Sequence, residues 1–452
     1  MASDRLQHIP RAPGALPLIG HTIRLGRDPL GFLRTLRKSG ELVRIDLGTL
    51  PIYVATSARV IHQVTVEHSR SFEKGRLYDR VRTLFGNGLA TANGDVHRTH
   101  RRLIQPMFHR SRIDGYAAVM SRRAVALADS WSDGQQVDIG HVMSEYTIET
   151  LAETMFSTDM GRPAVDAALR DLPVILRTML LRAASPKALE RLPIRIHRDF
   201  DRAGANLRRI IDDVVVATRQ HRQHRQEGGT DLVSLLLDAR DEATGLGLTD
   251  EEVRDELVTF LFAGTDTTAC VLGWAVSEIA RHPRVEQDVL AEIDEVIGDR
   301  PVTVDDIPRL GTIRRVLDES VRLHGATLLM RRTTEPVELA GHPLPAGVEV
   351  AFSLYAMHRD PALYPDPDRF DPDRWLPERR AAVPREAFVP FGAGNRKCIG
   401  DAFAWTEATI ALATLLARWR LRPVPGSAEP RESAAVMAYP DRVPMIVEAR
   451  RP

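Results

Sequence analysis

The sequence is poor in cysteine and carries no net charge. Only Cys270 and Cys398 occur in 452 residues, so a disulfide-stapled extracellular scaffold is excluded and a reducing cytoplasm is expected. The 61 basic and 61 acidic residues cancel, and charge therefore favours neither nucleic acid nor an anionic membrane as a partner. No internal repeat or low-complexity tract is visible. What remains is the composition of an ordinary globular protein, with 43% apolar and 27% charged residues.

Long apolar runs are also scarce. Residues 258–276 approach the length of a membrane span, but they contain Asp266 and several threonines. We therefore predict a buried central helix of a soluble protein here. Residues 1–20 form a proline-rich lead-in without a long apolar run, which predicts neither a membrane anchor nor a secretory signal.

Helical patterns dominate the rest of the chain. Thr249 and Glu252 have the spacing of a capping box, which predicts the start of a helix that reaches about His282. Strand-like runs occupy residues 42–47 and 52–55, and a second sheet region spans residues 337–352. Seven prolines fall within residues 360–394, which predicts an irregular segment leading to Cys398.

The segment around Cys398 carries the strongest motif. Five residues fit the spacing F-x-x-G-x-R-x-C-x-G within Phe391-Gly392-Ala393-Gly394-Asn395-Arg396-Lys397-Cys398-Ile399-Gly400. Glycines allow tight turns that aim backbone amides at the sulfur, and a helix beginning just downstream lowers a thiol pKa. Arg396 is placed to pair with a carboxylate. The pattern indicates a metal-binding thiolate, whereas the alternative for a lone cysteine is a small buried apolar residue.

The middle of the long predicted helix holds a second motif, Ala263-Gly264-Thr265-Asp266-Thr267-Thr268. Threonine hydroxyls next to a glycine can bond to the backbone and open a local bulge. Asp266 and Thr267 then form an acid–alcohol pair able to relay protons. The alternative is a helix with a solvated aspartate and threonines facing the core.

Glu319 and Arg322 lie three residues apart on a predicted helix, where their charges can pair. Alone this spacing is common and fits a surface ion pair. Arg374, within the proline-rich segment, is a candidate second partner. Two arginines on one carboxylate would fix that segment to the helix and hold its geometry.

Several basic residues are candidates for binding an anionic group. His97 and Arg101 share one helical face, and Arg331 lies in the second sheet region. A solvated basic helix is the alternative for the first two. A basic patch that attracts an acidic electron donor could also form from neighbouring residues, namely Arg98, His100, Arg102, Arg110 and Arg112.

Together these motifs resemble those of bacterial cytochromes P-450 over nearly the whole length. The resemblance implies a mainly α fold with a smaller β portion, forming a single large haem domain over residues 1–452. It implies haem b with Cys398 as the iron ligand in the loop that starts at Phe391. It further implies electrons from a separate ferredoxin and ferredoxin reductase, or from a flavodoxin. The residues expected to hold the haem propionates are Arg101, Arg331, Arg396 and His97. One departure is His324, followed by Gly325, where the family often has proline.

Within that family, residues 371–379 resemble bacterial enzymes that oxidise sesquiterpene hydrocarbons. The candidate substrate-facing residues are almost all apolar: Phe260, Leu261, Ala263, Ala326, Leu328, Leu329, Met330, Val436, Met437 and Ala438. We therefore predict a cytoplasmic haem-thiolate monooxygenase that uses O2 to hydroxylate a small lipophilic substrate. Repeated oxidation of one carbon, from methyl to alcohol to aldehyde, is part of this prediction.

Four alternatives remain at this stage. The substrate could be a macrolide, steroid or fatty acid. A peroxide-driven peroxygenase is a close rival, although such enzymes usually lack an acid–threonine pair like Asp266 and Thr267. A non-catalytic haem sensor usually carries an output domain, and none is visible. A cysteine hydrolase built on Cys398 needs a positioned histidine base, and no motif supplies one.

Overall fold

The computed structural model describes residues 6–156, 165–172, 174, 175, 178, 195–225, 231–241 and 244–450. The first five residues of the proline-rich lead-in therefore lie outside the described part. Two compact units arise from discontinuous stretches of chain. The first unit comprises Met1–Arg80, Glu319–Cys398 and Glu432–Tyr439. The second comprises Val81–Asp318, Ile399–Arg431 and Pro440–Pro452.

The first unit is built on a five-stranded sheet in the order β1-β2-β8-β5-β3. Its strands are β1 (Leu42–Leu47), β2 (Leu50–Ala55), β3 (Phe72–Lys74), β5 (Leu329–Thr333) and β8 (Glu349–Phe352). Only the pairing of β2 with β8 is parallel. A separate hairpin joins β6 (Val337–Leu339) to β7 (His342–Leu344), and another joins β10 (Glu432–Ala434) to β11 (Ala438–Pro440).

Short helices accompany this sheet: α1 (Thr22–Arg27), α2 (Pro29–Leu36), α3 (Ala58–His62), α13 (Leu354–Met357) and α14 (Pro377–Arg380). Two helices continue along the chain from one unit into the other, α4 (Arg76–Phe85) and α12 (Gly311–His324). Successive side chains of β1 and β2 point to opposite faces of the sheet, and both faces are covered by apolar cores. Tyr53, for example, lies in one core and Val54 in the other.

The second unit is mainly helical. Its helices are α5 (Gly94–Ile104), α6 (Arg110–Asp129), α7 (Ile139–Met155), α8 (Arg195–Arg225), α9 (Leu232–Asp238), α10 (Asp250–Arg281), α11 (Pro283–Val296) and α15 (Asp401–Arg418). A small antiparallel sheet has the order β4 (Gln136–Asp138), β12 (Pro444–Ala449), β9 (Trp419–Pro423). The fold class predicted from sequence, mainly α with a smaller β portion, is confirmed.

Helix α10 is the central element of the second unit. The predicted capping box is present, since the Thr249 side chain accepts from the Glu252 amide and the Glu252 carboxylate accepts from the Thr249 amide. Within the described residues, α10 alone has the length and hydropathy of a membrane span, but 72% of its most apolar window is buried inside the protein. This agrees with the predicted buried helix. Helices α10 and α7 pack closely at Gly264, where an added Cβ would lie 2.9 Å from Leu151 Cδ2 and would displace the end of that side chain.

In the first unit, Glu319 fixes the irregular segment as the sequence predicted. Glu319 and Arg322 are both fully buried, and Arg322 Nε donates to Glu319 Oε2 at 2.8 Å. Arg374 Nε donates to Oε1 at 3.4 Å, and Trp375 Nε1 donates to Oε2 at 3.0 Å. Arg322 also donates to the carbonyl oxygens of His358 and Pro367, both at 2.7 Å. The proline-rich chain is therefore tied to α12 by charge-assisted hydrogen bonds.

We predict that Glu319→Ala lowers the free energy of unfolding by about 3–5 kcal/mol, because it leaves buried arginines uncompensated. The matched control is Glu251→Ala. The Glu251 side chain is 78% exposed, and it forms a surface ion pair with Arg254 one helical turn away. Surface pairs of that kind contribute about 0.2–1 kcal/mol. Urea unfolding followed by circular dichroism measures both. Equal losses in the two variants would contradict the anchoring role of Glu319.

Candidate functional site

The cysteine loop of the first unit has a backbone held at several points. Cys398 N donates to Phe391 O at 2.9 Å, and Gly392 N donates to Val389 O at 2.8 Å. Gly392 and Gly394 both have left-handed backbone angles, with φ of 71° and 67°. The thiol-bearing residue Cys398 is exposed to solvent and is in no disulfide. The loop therefore presents an exposed thiol from a fixed backbone.

Gly394 is required for a further reason. A Cβ at this position would lie 1.8 Å from the carbonyl oxygen of Thr65, whereas a Cβ on Gly392 would meet nothing within 4 Å. Thr65 belongs to the helical turn Gln63–Glu67, which follows α3. The loop therefore rests directly on the backbone of that turn, and only glycine permits this approach.

Three cations gather near Cys398 in the first unit. Lys74 on β3 and Arg331 on β5 are directly opposite each other in the strand register, so their side chains share one face of the sheet. Burial lowers the pKa of Lys74 well below its ordinary value, and the charges of Arg331 and Arg396 lower it further. The Cys398 thiolate acts in the opposite direction. Sequence reasoning identified Arg331 and Arg396 but missed Lys74.

Arg331 is well ordered by its surroundings. It is buried, its Nη1 donates to Met330 O at 2.8 Å, and its guanidinium lies 5.6 Å from the centre of the Phe352 ring. Clustered like charges repel, and a bound dianion would offset that cost. This donor set fits the two propionates of haem b beside a cysteine ligand, so the residues present suit the expected cofactor.

The second unit carries the acid–alcohol motif on α10. Thr267 Oγ1 donates to Ala263 O at 2.7 Å, and Thr265 Oγ1 donates to Leu261 O at 2.8 Å. The prediction that these hydroxyls open a local bulge is wrong, because α10 is a regular α-helix from Asp250 to Arg281. Each threonine bonds one turn back along the helix, which the α-helical geometry accommodates.

Asp266 is the unusual acid in this motif. Its Oδ2 is buried and has no hydrogen-bond partner among the described residues. Burial raises the pKa of Asp266 to about 7. A carboxyl with such a pKa can both accept and release a proton near neutral pH. This is the property that the sequence-based proton-relay hypothesis requires.

A second acid, Glu407 on α15, was not identified from the sequence. It is fully buried in the second unit. Burial raises the pKa of Glu407 well above its ordinary value, while the Thr268 hydroxyl opposes the effect. Burial and then Glu407 also raise the pKa of Tyr146 on α7. Glu407 is therefore a buried acid of raised pKa behind the α10 motif, and an isolated glutamate within a helical pattern gave no signal for it.

Helix α5 carries the other predicted anion ligands. His97 is buried and Arg101 is half-buried, one helical turn apart on the same helix. His100 on the same helix has a different role, because its Nδ1 lies 2.7 Å from Glu256 Oε1. Burial disfavours the charged form, but the hydrogen bonds and charges of Glu256 and Glu252 outweigh it and raise the pKa of His100.

The predicted basic patch for an electron donor is mostly neutralised. His100 is buried against Glu256, Arg102 pairs with Asp241, and Arg98 pairs with Asp95. The acids come from the same helix or from distant parts of the chain. Each of these three cations already has a carboxylate partner, which lowers the positive charge that they add to the predicted patch.

A thiol loop, a cationic cluster and a buried acid on a central helix describe the class of haem-thiolate proteins. The sequence profile of the family Cytochrome P450 matches residues 10–443. The chain therefore belongs to the cytochrome P450 family, whose cofactor is haem b bound through a cysteine thiolate. The crystal structure of the cytochrome P450DA haem domain covers 98% of this chain and 98% of its own chain, with a TM-score of 0.87 and 29% identity.

Three curated relatives are bacterial enzymes that match almost the whole chain. Cyclooctatin synthase of Streptomyces melanosporofaciens is 41% identical over 97% of this chain and 95% of its own length. Cyclooctat-9-en-7-ol 5-monooxygenase of the same organism is 42% identical over 92% of this chain and 90% of its length. Pentalenene oxygenase of Streptomyces avermitilis is 36% identical over 98% of this chain and 97% of its length. The resemblance inferred from the motifs is confirmed.

The two loop glycines give a matched pair of substitutions. We predict that Gly392→Ala costs about 1–2 kcal/mol of unfolding free energy, which is the penalty of a left-handed alanine. Gly394→Ala pays the same penalty and also overlaps the Thr65 carbonyl, so its loss is larger by about 1–3 kcal/mol or more. Urea unfolding of the two variants checks the difference. Equal losses would mean that the loop does not rest on that backbone.

Asp266 gives a prediction for stability against pH. Its pKa rises from 3.8 to about 7 on folding, so between those values the unfolded chain releases a proton that the folded protein keeps. Wild-type stability therefore falls as pH rises through this window. Asp266→Asn removes the titration, and its unfolding free energy relative to wild type should increase across the window by up to ~1.4 kcal/mol per unit of pKa shift.

The matched control for this series is Asp288→Asn on α11, whose side chain is exposed. Its stability relative to wild type should stay nearly constant over the same pH range. Denaturant unfolding at several pH values measures both variants. A pH-independent difference for Asp266→Asn would show that the carboxyl is not desolvated in the folded protein.

Proposed function

We propose that this protein is a bacterial haem-thiolate monooxygenase that oxidises an unactivated C–H bond of a terpene in secondary metabolism. The observation that carries the proposal is the sequence similarity, over almost the full chain, to cyclooctatin synthase, cyclooctat-9-en-7-ol 5-monooxygenase and pentalenene oxygenase. Residues 1–452 are proposed to form one haem domain, and the protein is proposed to act in the cytoplasm. Apolar candidate residues, including Leu328, Leu329 and Val436, suit a hydrocarbon that is held by burial at about 25 cal/mol per Å².

Cys398 is the proposed iron ligand, and the loop from Phe391 positions it. Arg331, Arg396 and Lys74 are proposed to bind the propionates, and Arg101 and His97 on α5 stay predicted propionate ligands. When bound, the haem with its thiolate ligand supplies the chemistry that activates O2. The protein's own residues bind and orient this group and exclude competing ligands.

Asp266 and Thr267 are the proposed proton-delivering pair. In the overall reaction one oxygen atom enters the substrate and the other leaves as water, which consumes two protons and two electrons. A carboxyl with a pKa of about 7 can supply a proton and be recharged from solvent at neutral pH. The Thr267 hydroxyl donates to Ala263 O, so it relays a proton only after rotating to accept from Asp266 and donate onward. Electrons come from a separate ferredoxin and its reductase, or from a flavodoxin.

The test uses purified holoprotein, NADPH, a ferredoxin with its reductase, and ¹⁸O2. Substrate panels contain terpenes, macrolides, steroids and fatty acids. We expect a terpene product that carries one ¹⁸O atom, with further oxidation at the same carbon. Cys398→Ser should abolish the product, whereas the matched control Cys270→Ala, at a buried position, should retain it. Incorporation only with added peroxide, or only into a substrate of another class, would contradict the proposal.

A further inference from the structure

A cluster of charged and polar side chains surrounds Glu432 in the first unit. Glu432 Oε1 lies 2.7 Å from His324 Nδ1 and accepts from Arg359 Nη2 at 2.8 Å. Its Oε2 accepts from the Tyr355 hydroxyl at 2.5 Å. His324 ends α12, Tyr355 lies on α13, and Glu432 begins β10. One carboxylate therefore joins three elements.

The cluster is largely withdrawn from water and stays charged. The side chains of His324 and Arg359 are 8% and 6% exposed. Burial alone would favour the neutral acid, but the hydrogen bond from His324 and the charge of Arg359 outweigh it and lower the pKa of Glu432 to about 2. Arg359 also pairs with Asp368 at 3.3 Å, and the same carboxylate pairs with Arg34. Such a network costs desolvation energy, so it is better explained by fixed geometry than by stability.

Glu432 holds the hairpin that carries the turn at residues 435–437. Thr327 N donates to Val436 O at 3.0 Å, and the Thr327 hydroxyl donates to Ala435 O. Ala326 forms a bridge with Met437. On the other side, Tyr355 N donates to Ala326 O at 2.9 Å. The segment around Ala326 is therefore held between the turn and α13.

The Tyr355 ring completes the attachment. It packs in one apolar cluster with Leu30 and Ala438, and Ala434 lies against that cluster. The Arg359 guanidinium lies 3.9 Å from the centre of the same ring. The hairpin is therefore fixed both by its charged end at Glu432 and by apolar contacts along its strands.

The held surface leads directly to the cationic cluster. Ala326, Leu328, Leu329 and Val436 are half-buried apolar residues. Ala326 and Leu328 lie just before β5, which begins at Leu329 and carries Arg331 two residues later. Val436 lies beside them, since its carbonyl oxygen accepts from the Thr327 amide. Apolar residues next to a strand that is proposed to bind the cofactor are suited to line a site for a lipophilic substrate.

We propose that Glu432 and its partners His324, Tyr355 and Arg359 are positioning residues that hold the 435–437 turn as a wall of the substrate site and so determine which carbon is oxidised. This inference rests on the proposed function. An apolar site distinguishes one methylene by only ~1–3 kcal/mol, so the placement of its wall decides orientation. His324 is the first residue of the segment 324–326, where the family often has a proline, and its pairing with Glu432 links that segment to the hairpin.

The test compares Glu432→Gln with Glu429→Gln, a nearby exposed glutamate. Hydrogen exchange of amides 432–439 should become at least ~10-fold faster in Glu432→Gln, because about 1.4 kcal/mol of local stability corresponds to one factor of ten. Glu429→Gln should exchange as wild type does. Tyr355→Phe removes one hydrogen bond and should give a smaller change in the same direction. Unchanged exchange in both cluster variants would overturn the attachment.

The specificity claim is tested by azole binding to the holoprotein, read from the haem absorbance, which requires no natural substrate. Imidazole should bind wild type and Glu432→Gln equally, because it reaches only the iron. A bulky azole such as clotrimazole should change affinity by about tenfold in Glu432→Gln alone. Equal affinity for the bulky azole would overturn the wall. Failure of wild type to oxidise any terpene would instead overturn the proposed function, since the azole result does not depend on it.

With an accepted terpene, product ratios give the final readout. Glu432→Gln should spread oxidation over more carbons, and KM should change more than kcat. The ratio obtained with Glu429→Gln should match wild type. An identical product ratio in wild type and Glu432→Gln would contradict the role in selecting the carbon, whatever the exchange data show.

Discussion

The first unit depends on one buried carboxylate. Glu319 accepts hydrogen bonds from Arg322, Arg374 and Trp375, and also from the backbone amide of Asp371 at 3.0 Å. A proline-rich chain cannot satisfy its own backbone through regular structure, so its position must come from side chains. Glu319 supplies that position, and the same stretch of chain then continues to the loop that presents Cys398. A haem ligand needs this kind of fixed frame.

Charge is distributed differently in the two units. Near Cys398 the first unit gathers Lys74, Arg331 and Arg396, a set suited to an anionic cofactor. The second unit instead buries acids on or behind α10, namely Asp266 and Glu407. Cations hold a cofactor in place, whereas acids of raised pKa can carry protons at neutral pH.

Contacts between residues close in sequence could be predicted, whereas contacts between distant parts of the chain could not. The Thr249 capping box and the Glu319–Arg322 spacing depend on residues within one helical turn, and the structure contains both. Lys74 was missed because the pairing of β3 with β5 brings it opposite Arg331 from a distant part of the chain. Glu407 was missed because its burial arises from tertiary packing. The carboxylate partners of the predicted basic patch were missed for the same reason, since Asp241 reaches Arg102 only in the folded chain.

The central claim is that the sulfur of Cys398 is a thiolate bonded to haem iron. The most direct measurement is the carbonyl difference spectrum of the reduced holoprotein, compared with that of Cys398→Ser. The account predicts the strongly red-shifted band of a thiolate ligand in wild type and its loss in the variant. The same red-shifted band in Cys398→Ser would contradict the account.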